Sequence, residues 1–225
     1  MNLNQLLTHV DHTQLSITAI TTDYINLCEE AVTHKVASVC VPPSYVQLCA
    51  NHLQGRIQVC TVAGFPNGYT TSHAKAEEAK EAIQNGANEI DMVINISHAK
   101  EHNYTAILQD IQQVRHATTG YILKVIIETA MLTQEEKIAL CQVVSESGAD
   151  YIKTSTGFAA SGATFEDVAL LRKYTAPEVK VKAAGGIATL EDAYKFIELG
   201  AKRLGTSRII KIIQGMEGVG GAQQY

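Results

Sequence analysis

Two lysines stand where a buried strand would open onto a polar site: Lys153 in DYIKTSTGF and Lys182 in VKAAGGI. Lys153 ends an apolar, β-branched run and is followed by small hydroxyl residues and a glycine, while Lys182 is followed by Ala-Ala-Gly-Gly. Small-residue turns of this kind let a ligand approach the backbone closely. Side chains alternate along a strand, so Tyr151, Lys153 and Ser155 share one face, and Lys180 and Lys182 share another. Two ammonium groups brought into one pocket repel, and burial disfavours their charge further, so at least one is expected neutral near neutral pH. A neutral lysine attacks carbonyl carbon, which makes Schiff-base formation the chemistry to expect. The commonplace alternative is a solvated lysine on the outer face of its strand, since lysines are rarely buried unpaired.

Asp91 lies in the apolar run NEIDMVINI and shares a face with Val93 and Asn95. A buried carboxylate is costly unless paired, so a lysine partner is the economical explanation, and Asp91 beside Lys182 makes a proton relay. A purely structural ion pair is the alternative. Lys124 and Glu128 share a face of LKVIIET, and Asp11 and Thr13 share one of VDHTQL, so these residues are expected to enlarge the polar network, Lys124 as a counter-ion or in support. Gly157, Gly185, Gly186 and Gly205, with Thr206 and Ser207, cluster after the last three expected strands. Free N–H groups there, with adjoining helix N-termini, suit phosphate, and Arg208 supplements them or caps the last strand. An anion site at one end and a lysine in the core predict a short phosphorylated aldehyde reaching from rim to centre. His9 and His12 are three apart and fall on opposite faces of a strand, which argues against a metal site.

The elements that must position these residues alternate from end to end. Eight strands are expected, at His9–Thr13, Ser38–Pro42, Gln58–Ala63, Glu89–Asn95, Leu123–Glu128, Tyr151–Thr154, Lys180–Ala183 and Arg203–Thr206. Between them Thr133–Glu136, Thr164–Asp167 and Thr189–Asp192 fit the S/T-x-x-D/E signature of a helix start. Helices are expected to end at Gly86, Gly148 and Gly200, and five residues beyond each come Asp91, Lys153 and Gly205, one layer of three site candidates. The pattern predicts a single α/β TIM barrel, (β/α)8, over residues 1–225, with function at the C-terminal ends of the strands. A doubly wound open sheet is the main alternative, but no GxGxxG follows an early strand. The glycine-rich end GMEGVGGAQQY, 215–225, is expected to be a flexible tail whose Tyr225 could fold over the site.

A net charge of −5 speaks against a nucleic-acid surface, and no segment is apolar enough to span a bilayer. Five cysteines without a CxxC pair suit reduced core thiols in the cytoplasm.

Taken together, VDHTQL, VCVPPSYV, CTVAGFPNG, EIDMVINI, LKVIIETAML, DYIKTSTGF, VKAAGGI and LGTSR make the chain resemble the deoxyribose-phosphate aldolases over nearly its whole length. These are Schiff-base aldolases with a TIM-barrel fold. The resemblance implies that Lys153 forms the Schiff base, that Lys182 tunes its pKa and shuttles protons, and that Asp91 assists as acid and base through a water. It further implies phosphate held at Gly157, Gly185, Gly186, Gly205 and Ser207, no metal or cofactor, and a cytoplasmic homodimer. Some members carry a lysine after the STG glycine where this chain has Phe158, which leaves the backbone contacts but not that charge. The implied reaction is reversible cleavage of 2-deoxy-D-ribose 5-phosphate to D-glyceraldehyde 3-phosphate and acetaldehyde. Another Schiff-base aldolase or transaldolase, or a phosphate-binding barrel without Schiff-base chemistry, are the competing readings. Cys40, near the end of the second strand, is a candidate to add to unsaturated aldehydes, or an inert core thiol.

Overall fold

The computed structural model describes residues 1–220, with side chains as far as Met216. Its strands are β1 (Val10–Thr13), β2 (Ser38–Val41), β3 (Gln58–Ala63), β4 (Glu89–Val93), β5 (Ile122–Ile126), β6 (Tyr151–Lys153), β7 (Lys180–Ala184) and β8 (Ala201–Thr206). They pair in parallel in chain order, and β8 returns to β1 to close the barrel. The helices are α1 (Leu3–Leu7), α2 (Thr21–His34), α3 (Val46–Leu53), α4 (Ser72–Gln84), α5 (Ile96–Lys100), α6 (Tyr104–Ala117), α7 (Gln134–Glu146), α8 (Phe165–Tyr174), α9 (Leu190–Glu198) and α10 (Ile209–Gly220).

Period-two alternation sorts the strand residues. Ile90 and Met92 of β4, Leu123 and Val125 of β5, Ile152 of β6 and Val181 of β7 belong to the main apolar core between sheet and helices. The residues between them, Asp91, Lys124, Lys153 and Lys182, face the barrel interior and are also buried. Strand pairing sets Asp91 beside Lys124 and Lys153 beside Lys182. A register shift between Val181 and Lys182 then aligns Lys182 with Arg203 of β8.

Local signals place the helices. Thr133, Thr164 and Thr189 each accept the backbone N–H three residues on, as the capping signature predicts. Gly86, Gly148 and Gly200 take positive φ at the helix ends, at 105°, 80° and 106°. All eight strands form, with two informative differences in length. β4 stops at Val93, and Asn95, expected on its inner face, instead caps α5 by accepting from Ser97 N at 3.0 Å. β5 stops at Ile126, because Glu128 adopts a left-handed φ of 56° and turns out of the sheet. The stretch expected to be a flexible tail from 215 is helical as far as Gly220, continuing a helix anchored by buried Ile209, Ile210 and Ile213. Tyr225 lies outside the described residues. Among the described residues no helix is long and apolar enough to cross a membrane.

Candidate active site

Four strands deliver their charged side chains to one point inside the barrel. Asp91 is fully buried and gathers three ammonium groups. Its Oδ1 accepts from Lys124 Nζ at 2.8 Å, and its Oδ2 from Lys153 Nζ at 2.8 Å and Lys182 Nζ at 2.7 Å. Lys182 also contacts Asp11 Oδ2, and Lys124 contacts Glu89 Oε2 at 2.5 Å. Arg203 closes the base of the cluster, with Nη1 2.5 Å from Asp11 Oδ1 and 3.0 Å from Glu89 Oε2. Ser38 donates to Asp11 Oδ1 at 2.6 Å. Lys124, Lys153, Lys182 and Arg203 thus face Asp11, Glu89 and Asp91, one cation in excess of the carboxylates.

The electrostatics follow from this packing. Burial works to raise the Asp91 pKa, but Lys124, Lys153 and Lys182 outweigh it and hold the carboxyl well below the usual range. Asp11 is lowered in the same way, against burial, by Lys182, Lys124 and Arg203. Burial works to discharge Lys182, yet Asp11 and Asp91 hold its ammonium well above the ordinary lysine value. Lys124 is raised likewise, against burial, chiefly by Asp91. The simple expectation of repulsion between two lysines therefore needs correcting at Lys182: the carboxylates between them dominate. Thiol and carboxylate atoms of Cys40, Cys60 and Asp91, and of Asp11, Cys60 and Glu89, lie within 4.8 Å of one another, a spacing that could suit a metal. The carboxylates of both sets, however, are already engaged by lysine and arginine cations of the protein.

Lys153 differs from the other cluster lysines in reaching a cavity. The cavity, of about 480 Å³, is lined by Lys153, by Gly157, Gly185, Gly186, Gly205, Ser207 and Arg208, and by Thr13 to Ser16 on the side of β1. The five glycine and serine positions expected to hold phosphate thus share one space with the lysine expected to be the nucleophile. Gly186 has φ 70°, and a Cβ there would lie 2.5 Å from Ala163 O. The N–H groups of Gly157 and Gly186 meet no acceptor among the described residues, which leaves them for an anion. Gly205 has a second task, since a Cβ on it would lie 3.1 Å from Lys182 Cε.

Several expected partners take other places. Lys124 and Asp11 join the cluster, but Glu128 does not stand above Lys124; it sits at the rim and accepts from Thr156 N at 3.1 Å. Cys40 is buried against Cys60 and does not line the cavity of Lys153. His9 bonds Lys202 O at 2.9 Å and His12 bonds Glu30 Oε2 at 2.7 Å, on separate partners as their spacing predicts. Sequence reasoning missed Glu89, Arg203 and Cys60 at the centre and Gly162 at the rim. Glu89 stands two before Asp91 and Arg203 two before Gly205, so the alternation that found the first set also points to these. Gly162 is needed because a Cβ there would lie 2.4 Å from Gly185 C, a contact no sequence pattern announces.

This geometry has close counterparts. Residues 6–217 match the family described as DeoC/LacD family aldolase. A protein named deoxyribose-phosphate aldolase from Streptococcus agalactiae is 52% identical over 217 residues, covering 96% of this chain and 97% of that protein. A structure from Coccidioides immitis, provisionally assigned as a deoxyribose-phosphate aldolase, superposes with a TM-score of 0.92 at 44% identity, over 96% of this chain and 87% of the other. The deoxyribose phosphate aldolase of Aeropyrum pernix, described as a unique tetramer, gives a TM-score of 0.87 at 29% identity, over 97% and 93%. The chain belongs to the DeoC/LacD aldolase family.

Proposed function

We propose that this protein is a lyase that reversibly cleaves 2-deoxy-D-ribose 5-phosphate to D-glyceraldehyde 3-phosphate and acetaldehyde, with Lys153 as the Schiff-base nucleophile. One observation carries the assignment of the nucleophile: of the three lysines on Asp91, Lys153 lines the cavity that also holds the glycine-rich anion end, whereas Lys124 and Lys182 are sealed beneath it. The substrate is then a small phosphorylated sugar, its phosphate at Gly157, Gly185, Gly186, Gly205 and Ser207 and its aldehyde at Lys153.

The steps follow from the groups at hand. Lys153 Nζ, as the free amine, adds to C1, and the carbinolamine hydroxyl takes a proton from the Asp91 and Lys182 pair and leaves as water, so that an iminium remains and the pair can next accept a proton. The iminium carries one positive charge and one N–H, so it can still face Asp91. The C3 hydroxyl loses its proton, through a water, to the Asp91 and Lys182 pair, which share a proton across 2.7 Å. The C2–C3 bond breaks, its electron pair forms the enamine, and C3 leaves as the aldehyde of glyceraldehyde 3-phosphate. The enamine C2 then takes a proton back from the same pair, and water hydrolyses the iminium to acetaldehyde and the free amine of Lys153, its released proton restoring the pair. Asp11 and Lys124 support the relay by holding Lys182 and Asp91 in place. The protein is assigned as a cytoplasmic homodimer.

Incubation with acetaldehyde and borohydride, followed by intact mass and peptide mapping, tests the reading. An ethyl group on Lys153 is expected. Well-folded protein without an adduct would remove the Schiff-base mechanism, and an adduct on Lys182 would reverse the two lysine roles.

A further inference from the structure

Glu128 combines three features that the reaction at Lys153 does not require. Its backbone is left-handed, at φ 56° and ψ 67°, although it is not glycine. Its side chain is 4% exposed. Its Oε2 takes both the N–H and the hydroxyl of Thr156, while Oε1 has no partner among the described residues. A strained backbone and a buried carboxylate persist only where the surroundings demand them.

What they hold is the turn after β6. Thr156 Oγ1, having donated to Glu128, can only accept from its other neighbours, and it accepts from Phe158 N at 3.0 Å. The direction of the chain Phe158 N to Thr156 Oγ1 to Glu128 Oε2 is thereby fixed, with an acceptor-only group at its end. Thr129 N to Thr154 O, at 2.9 Å, ties the same two segments a second time. Between Thr156 and Phe158 stands Gly157, at φ 87°, whose N–H meets no acceptor among the described residues. Glu128 takes Thr156 N, and the Thr156 hydroxyl it holds takes Phe158 N, which leaves the N–H of Gly157, a residue lining the cavity of Lys153, as the free donor between them among the described residues. Glu128 is not part of the lining of this cavity; it lines a neighbouring cavity of about 410 Å³ with Asn67, Asn95 and Ser97, behind Thr156 and Phe158.

We propose that Glu128 is a positioning residue that presets the Thr156–Phe158 turn for the substrate's phosphate, acting through the Thr156 hydroxyl, and so sets the preference for phosphorylated over unphosphorylated sugars. The proposal rests on the reading of the glycine loops as the phosphate end. It is tested by kcat and KM for 2-deoxyribose 5-phosphate and for 2-deoxyribose, in the wild-type protein and in E128A, T156V and T156S.

E128A and T156V should raise KM for the phosphorylated sugar about tenfold, the loss of roughly one well-made hydrogen bond to a charged group. The ratio of kcat/KM between the two sugars should fall by the same factor, while T156S, which keeps the hydroxyl, restores it. Equal losses on both sugars, or T156V behaving like T156S, would overturn the proposal even if E128A failed to fold. A wild-type protein indifferent to the phosphate would remove the phosphate reading together with the proposal; a preference that survives in T156V would remove the proposal alone.

Discussion

The centre of the barrel and its glycine-rich rim handle charge by opposite means. At the centre, four cationic and three acidic side chains, all buried or nearly so, pair with one another at 2.5 to 3.0 Å, and each charge has particular partners. At the rim the groups proposed to bind the anion are backbone N–H, and the important property of Gly162, Gly185 and Gly186 is the side chain they lack. A change at the centre alters chemistry and charge balance, whereas a change at the rim alters shape. The two regions meet at Lys153, which donates to Asp91 below and lines the cavity above.

If the centre works charge by charge, Lys153 and Lys182 should part company when each is replaced by methionine. Lys153→Met removes the lysine that pairs with Asp91 alone and leaves Asp91 with Lys124 and Lys182, so the urea midpoint should stay near that of the wild type while turnover falls by about 10⁴-fold or more. Lys182→Met takes the shared ammonium from Asp11 and Asp91 together. Asp91 keeps Lys124 and Lys153 and Asp11 keeps Arg203, but both lose one partner at once, so a cost toward the lower end of about 3–5 kcal/mol is expected, and loss of the proton carrier costs about 10²–10⁴ in kcat. Both substitutions leave three cations for three carboxylates, so equal destabilisation would show that the count alone, and not the particular partners of each ammonium, governs the centre.

Acid and alkali probe the same balance. Asp91 and Asp11 have folded-state pKa values below the ordinary 3.8. Between the lowered value and 3.8 the unfolded chain binds the extra protons, so this stabilisation is complete above about pH 4 and is lost as pH falls further. Lys182 and Lys124 are raised above 10.5, so their contribution is complete below that value and is lost as pH rises past it. The cluster should contribute a constant stability across the range between. Carbon NMR of labelled aspartate should find both carboxyls still ionised at about pH 3.5. A titration midpoint above 4 for either would contradict the ion pairs.

Much of the centre was legible because inward positions follow from period two: once Lys153, Lys182 and Asp91 are placed on strands, only one face is left for them to share. Glu89 and Arg203 obey the same rule. They are hard to read because each stands first in the strand expected from the sequence, where a charged residue looks solvated, although β8 in fact begins two residues before Arg203. Glu128 was misplaced for a different reason. Alternation carried it onto the face of Lys124, and no local signal marks a glutamate that takes a left-handed backbone. The rim was legible only as a cluster of glycines. Which of them a Cβ would obstruct depends on contacts between loops, such as that between Gly162 and Gly185, that lie more than twenty residues apart.

That dependence yields the smallest effects, and they grade the rim. Gly186 and Gly157 both have positive φ, at 70° and 87°, but a Cβ at Gly186 would lie 2.5 Å from Ala163 O, whereas one at Gly157 meets nothing within 4 Å. Gly186→Ala should therefore cost about 1–3 kcal/mol in strain and displacement and raise KM for the phosphorylated sugar. Gly157→Ala carries only the left-handed backbone term, about 1–2 kcal/mol at most, and its KM should rise less. Both variants should still take the ethyl label at Lys153, because neither residue touches the charge cluster. If Gly157→Ala instead raised KM more than Gly186→Ala, the added methyl would be blocking the anion itself, and Gly157 N–H would be its principal donor, with shape at Gly186 secondary.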